Sequence, residues 1–116
     1  MAGKKARQKI IDIRILMRLV FENPKDSAAN ILRREGYSFL RKDDATGEMS
    51  FVKRVGGGDY PRFHIYAKTD ARGRIEVNLH LDQKKASYRG AAAHSGEYDG
   101  EILEREMENI KKAFNY

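Results

Sequence analysis

The chain has 116 residues, of which 41% are hydrophobic and 34% are charged, and its formal net charge is +6. This length predicts one domain with a modest core and no second domain. The absence of cysteine excludes disulfides, thiolate zinc sites and cysteine nucleophiles. No apolar run reaches the roughly 18 residues of a membrane helix. Charged residues also interrupt the best candidate signal peptide, so we expect a cytoplasmic protein.

The positive charge is distributed unevenly along the chain. Residues 97–116 hold six acidic and three basic residues, whereas residues 1–96 hold 20 basic and 11 acidic residues. A body with this surplus attracts polyanions, because each neutralised phosphate releases a counterion. We therefore predict a small nucleic-acid-binding module, with RNA or a ribonucleoprotein as its partner. Solubility alone is the simpler explanation of the same charge.

The N-terminal part is predicted to be a flexible basic arm over residues 1–9, followed by a single domain over residues 10–116. The arm contains Lys4 and Lys5 and no acidic residue, which makes it a candidate contact for nucleic acid. Residues 10–22 alternate apolar and other side chains and are rich in β-branched residues. This pattern favours a strand, although helical spacing fits as well.

A helix is predicted next, with Asp26 or Ser27 as its N-cap and its end near residue 35. Strands follow over residues 37–42 and Met49–Arg54, and a polar turn joins them. The first part of the domain therefore combines one helix with an antiparallel pair of strands.

The clearest pattern is a hairpin over residues 61–81. Apolar and polar residues alternate in both of its strands, and directly opposed residues of an antiparallel pair share one face. A three-residue turn with Gly73 in the left-handed conformation closes the hairpin. The predicted cross-strand pairs are Lys68 with Glu76, Tyr66 with Asn78, and His64 with His80.

Residues 82–97 show no regular period, and a final helix is predicted over about residues 99–113. The predicted fold class is α+β: a two-layer antiparallel sheet of four to five strands, with two helices packed on one face. The other face of the sheet stays polar and carries cations beside aromatic rings. This combination is typical of proteins that bind single-stranded nucleic acid. The candidate nucleic-acid contacts are Arg62, Tyr66, Lys68, Asn78, Lys84, Lys85, Tyr88, Arg89, Lys4 and Lys5.

The candidate catalytic residues are His64 and His80, which are neighbours in the predicted hairpin. Paired imidazoles can act as general base and general acid on an RNA 2′-hydroxyl and its leaving oxygen. Together with Asp82 or His94 they can instead ligate zinc. The simplest interpretation is that they only shape a polar surface. We therefore predict no metal and no cofactor, and favour a binding protein over an enzyme.

Two stretches carry a resemblance to a known family: Tyr60-Pro-Arg-Phe-His-Ile-Tyr66, and Asn78-Leu-His-Leu-Asp-Gln-Lys-Lys85 running on to Ala93-His-Ser-Gly-Glu-Tyr-Asp99. They resemble a family of small, functionally uncharacterised proteins encoded by uncultivated bacterial lineages. The resemblance covers roughly residues 24–112. It implies no activity, but it marks the hairpin, the long loop and the junction with the last helix as shared parts.

A looser similarity is to HicA-type toxins, small RNA-cleaving domains with a double-stranded-RNA-binding-like sheet and two helices. The order of a helix, Gly-Tyr, three strands and a helix between residues 26 and 113 is similar. Those domains use a strand histidine in a Gly-Ser/Asn-His setting, whereas His64 follows Arg62-Phe63. The alternative functions are therefore a HicA-like ribonuclease using His64 and His80, and a protein–protein adaptor with an acidic partner.

Overall fold

A computed structural model describes residues 9–11, 14–83 and 100–115. Its strands and helices are β1 (Lys9–Ile11), β2 (Arg14–Phe21), α1 (Ala28–Arg34), β3 (Ser38–Lys42), β4 (Met49–Arg54), β5 (Arg62–Thr69), β6 (Ile75–Asp82) and α2 (Gly100–Asn115). The strands form one antiparallel sheet in the order β1-β2-β6-β5-β4-β3. The predicted α+β class is confirmed. No helix within these ranges is long and apolar enough to cross a membrane.

The sheet has six strands because the segment predicted as one strand over residues 10–22 contains two. β1 and β2 pair with Lys9 opposite Leu16. The sequence between them has no glycine or proline, which are the usual turn signals. The alternating pattern therefore continues with nothing to indicate where one strand ends and the next begins. Lys9, assigned to the basic arm, is the first residue of β1, and residues 1–8 lie outside the described part of the chain. Within the described residues, four strands lie between the two helices, where the HicA-type order has three.

The predicted hairpin register is confirmed. β5 and β6 place Lys68 opposite Glu76, Tyr66 opposite Asn78, and His64 opposite His80. The turn is closed by the backbone amide of Asp70, which donates to the carbonyl of Arg74 at 2.9 Å. Gly73 has φ +88°, the left-handed conformation that favours glycine. The hairpin therefore presents alternate side chains to the two faces, as the sequence pattern requires.

Both helices contribute to one hydrophobic core. The Ser27 hydroxyl caps α1 by accepting the amide of Asn30 at 3.1 Å. Phe21 of β2 stacks on Phe114 of α2 with ring centroids 4.5 Å apart. The buried hydrophobic side chains of the helices and of the central hairpin strands are Ala28, Ile31, Leu32, Leu103, Met107, Ile110, Phe114, Phe63, Ile65, Ala67, Ile75, Val77, Leu79 and Leu81.

A buried carboxylate links α2 to the sheet. Glu106 is 5% exposed, and its Oε2 accepts the Tyr37 hydroxyl at 2.6 Å and lies 2.7 Å from Lys53 Nζ. Burial raises the pKa of Tyr37 and the neighbouring carboxylate raises it further, so this hydroxyl keeps its proton and donates. Glu106 follows Leu103 by three residues and precedes Ile110 by four, which places it on the apolar stripe. That spacing was the available signal for its burial.

Candidate functional site on the polar face of the sheet

The polar face is the side of the sheet that carries the even-numbered residues of β5 and β6. These residues are Arg62, His64, Tyr66, Lys68, Glu76, Asn78, His80 and Asp82. The odd-numbered residues of both strands are buried in the core, apart from the terminal Thr69. Strand pleating explains this division, since successive side chains point to opposite faces. The polar face therefore gathers six of the residues predicted to be functional.

The two histidines of the hairpin share one carboxylate. His64 Nδ1 lies 2.9 Å from Asp82 Oδ2, and His80 Nδ1 lies 3.3 Å from Asp82 Oδ1. Arg62 Nε donates to Oδ2 at 3.0 Å. Asp82 stands opposite Arg62 in the same register that pairs the histidines. The last residue of β6 is therefore positioned against three nitrogen-bearing side chains.

The environment of Asp82 favours its ionised form. Burial raises the pKa of Asp82, but hydrogen bonds with His64 and Arg62 and the nearby positive charge lower it by more. The net result is a pKa below the ordinary value of 3.8. A carboxylate held ionised in this way is a strong acceptor for N–H donors and a good ligand for a cation.

Among His64, His80 and Asp82, His64 is the most deeply buried, with 8% of the residue exposed. Its Nδ1 faces Asp82, whereas its Nε2 is buried without a hydrogen-bond partner among the described residues. An unsatisfied buried polar group costs about 1–3 kcal/mol. The described protein atoms therefore satisfy only one of the two ring nitrogens of His64.

Three aromatic rings stack within the polar face. The ring centroid of His64 lies 4.4 Å from that of Tyr66 and 5.0 Å from that of His80, and the Tyr66 and His80 centroids are 5.5 Å apart. Tyr66 was predicted to offer a surface for nucleotide stacking. Its ring packs on these imidazoles, so only the surface that they leave uncovered can meet a ligand.

The polar face carries a surplus of positive charge. Among residues 17–83, its positions on β2, β4, β5 and β6 hold four cations and two carboxylates: Arg18, Arg54, Arg62, Lys68, Glu76 and Asp82. Arg18 Nε lies 2.7 Å from Glu76 Oε2. Two of the cations are thus paired within the face, by Glu76 and Asp82. Arg54 Nη2 lies 3.2 Å from Asp59 Oδ1 in the loop after β4, and Lys68 extends the positive surface at the other end of β5.

A groove lies at the Arg62 end of this face, between β3 and the loop after β4. Tyr60 is 41% exposed, and the Arg62 guanidinium carbon lies 4.9 Å from its ring centroid. Such a contact is typical of a cation–π pair. The residues lining the groove are Gly36, Ser38, Val52, Lys53, Arg54, Asp59, Tyr60 and Arg62.

The predicted site residues fall into two groups. Arg62, His64, Tyr66, Lys68, Asn78 and His80 share the polar face. The others, namely Lys4, Lys5, Lys84, Lys85, Tyr88, Arg89 and the alternative ligand His94, lie outside the described residues. Asp82 was considered only as a metal ligand, and its contact with both histidines was missed. The register that pairs the histidines also pairs Asp82 with Arg62, and that signal was available.

Comparison with models of protein families gives no match, and comparison with curated protein sequences gives none either. The interpretation of the polar face therefore depends on its own geometry and chemistry. Two features carry that chemistry: the cluster of His64, His80 and Asp82, and the groove beside Tyr60 and Arg62.

Proposed function

We propose that this protein binds single-stranded RNA on the polar face, with the groove at Tyr60 and Arg62 as the nucleotide contact. The observation that carries the proposal is an exposed aromatic ring packed on an arginine, beside a second arginine, Arg54, in one groove. A cytoplasmic location belongs to the same proposal, since RNA is abundant there.

Two physical effects support this choice of ligand. An exposed aromatic ring stacks on an unpaired base of any sequence, and such stacking contributes about 1–3 kcal/mol per base. Arginines in the groove attract the phosphate backbone, and the guanidinium also stacks on rings. A duplex hides its base faces, so the combination favours single strands. The surplus of positive charge on the polar face adds affinity that does not depend on sequence.

The proposal is tested by fluorescence anisotropy of the full chain with a labelled, unstructured RNA oligomer over a series of salt concentrations. Affinity is expected to fall steeply as salt rises, because bound phosphates release counterions. Tyr60→Ala is expected to weaken binding about five- to 150-fold, which corresponds to the loss of one base stack. Arg54→Gln is expected to weaken binding and to reduce the salt slope.

Matched variants distinguish binding in the groove from non-specific electrostatic and hydrophobic binding elsewhere on the surface. Phe39→Ala removes another exposed ring, which lies 56% exposed beside Phe51 on the core side of the sheet. Arg33→Gln removes an exposed cation on α1. Neither is expected to change affinity by more than about twofold. No RNA binding at low salt, or equal losses in Tyr60→Ala and Phe39→Ala, would refute the proposal.

The same assay addresses the alternative functions. A ribonuclease using His64 and His80 remains a prediction, and one observation favours it: both imidazoles lie within 3.3 Å of the same carboxylate. Their side chains are only 10% and 14% exposed, which restricts the access of a phosphodiester. Gel analysis of the RNA after incubation detects cleavage. An acidic polypeptide that binds independently of Tyr60 would favour the adaptor function.

A further inference from the structure

We infer that His64, His80 and Asp82 form a binding site for Zn²⁺, with one imidazole nitrogen from each histidine and one carboxylate oxygen as ligands. These three residues offer ligand atoms that all lie within 4.8 Å of one another. The inference does not depend on RNA binding, since it concerns only the chemistry of this cluster.

The spacing of the cluster is close to what a tetrahedral ion requires. Ligands held about 2.0–2.1 Å from zinc stand about 3.3 Å apart in a tetrahedron. The ligand atoms that the three residues offer lie within 4.8 Å of one another. Side-chain rotations that shorten the longest separation by up to about 1.5 Å therefore bring the ligands to an ion.

A second observation points to a ligand independently of the spacing. His64 is more than nine-tenths buried, and its Nε2 has no hydrogen-bond partner among the residues that the structure describes. A neutral imidazole carries one N–H group and one lone pair. With either nitrogen facing Asp82, the other remains unsatisfied by these residues. Metal-ligating histidines characteristically place one nitrogen on the ion and use the other to contact a carboxylate or carbonyl group.

The donor set determines which ions fit. Imidazole suits zinc and the later transition metals, whereas Mg²⁺ and Ca²⁺ prefer oxygen ligands. Two histidines and one carboxylate leave a fourth position open, as in zinc sites that bind water or a substrate oxygen. Arg62 holds Asp82 Oδ2, which orients the carboxylate so that Oδ1 faces His80. Arg62 is thus a positioning residue for the proposed ligand.

The test is calorimetric titration of Zn²⁺ into the chelator-treated full chain, without nucleic acid. We expect about one ion per chain and no comparable binding of Mg²⁺. Asp82→Asn and His80→Gln preserve side-chain size and are each expected to weaken zinc binding at least about tenfold. Circular dichroism shows whether each variant is folded. Because RNA is absent, failure of this proposal and failure of RNA binding are separate results.

One matched variant serves as the control. Glu76→Gln removes the other carboxylate of β6, which pairs with Arg18. It is not expected to alter zinc affinity. If Asp82→Asn does not fold, nitrogen NMR of the wild-type imidazoles decides, since Zn²⁺ must shift the signals of both His64 and His80. No zinc binding by the wild type, or a loss in Glu76→Gln as large as in Asp82→Asn, overturns the assignment.

Discussion

Replacing Glu106 by alanine tests the buried network that connects α2 to the sheet. The carboxylate accepts the Tyr37 hydroxyl at 2.6 Å and pairs with Lys53 Nζ at 2.7 Å. Its other oxygen accepts the Asn109 amide at 3.3 Å. Removing one member of a buried pair destabilises a protein mainly because the remaining members stay buried without partners.

The expected cost follows from what Glu106→Ala leaves behind. The Tyr37 hydroxyl, on a residue 3% exposed, would lose its acceptor at a cost of about 1–3 kcal/mol. Breaking a fully buried ion pair costs about 3–5 kcal/mol, but the Lys53 side chain is 26% exposed and retains some hydration. We therefore expect the free energy of unfolding to fall by about 3 kcal/mol. Glu106→Gln keeps an acceptor for Tyr37 and should cost about 1 kcal/mol.

Urea denaturation followed by far-UV circular dichroism measures these differences. The control is Glu108→Ala on the same helix, because Glu108 is exposed and pairs with Lys111 at 3.1 Å at the surface. It should change stability by less than about 0.5 kcal/mol. In the Glu106→Ala background, Tyr37→Phe should cost less than it does in the wild type, since its partner is already gone. Equal costs for Glu106→Ala and Glu108→Ala, or strictly additive effects with Tyr37→Phe, would refute this account.

Two further predictions concern the turn between β5 and β6. Gly73→Ala should lower the free energy of unfolding by about 1 kcal/mol, because φ is +88° there. The control is Gly57→Ala, in an open loop without positive φ, which should not destabilise the protein. Equal losses of stability in the two variants would contradict the reasoning. For Asp70, burial raises the pKa, but hydrogen bonds from the Arg74 side chain and from the turn amides together lower it by more, to below 3.8. The stabilisation from Asp70 should be complete above its unfolded pKa and be lost as pH falls through the lower folded value. NMR titration checks this, and an Asp70 pKa at or above 3.8 would contradict it.

Local pattern determined much of the fold. Alternation in residues 61–81 assigns each side chain to a face, and because opposed residues share a face, it also sets the register that makes His64 and His80 neighbours. The apolar stripe of α2 and the Ser27 cap of α1 are local in the same sense. These features were predictable because each depends on residues close together in the chain or on a parity rule.

Other features were decided only by tertiary structure. Residues 10–22 form two strands rather than one, although their periodicity continues unbroken in the sequence. Glu106 meets Tyr37 only because α2 packs beside the segment after α1, 69 residues earlier in the chain. The groove at Tyr60 requires the loop between β4 and β5 to lie near the start of β3. Periodicity reports which face a residue occupies. It does not report which distant element covers that face, and this choice determines the partners of a buried charge or an exposed ring.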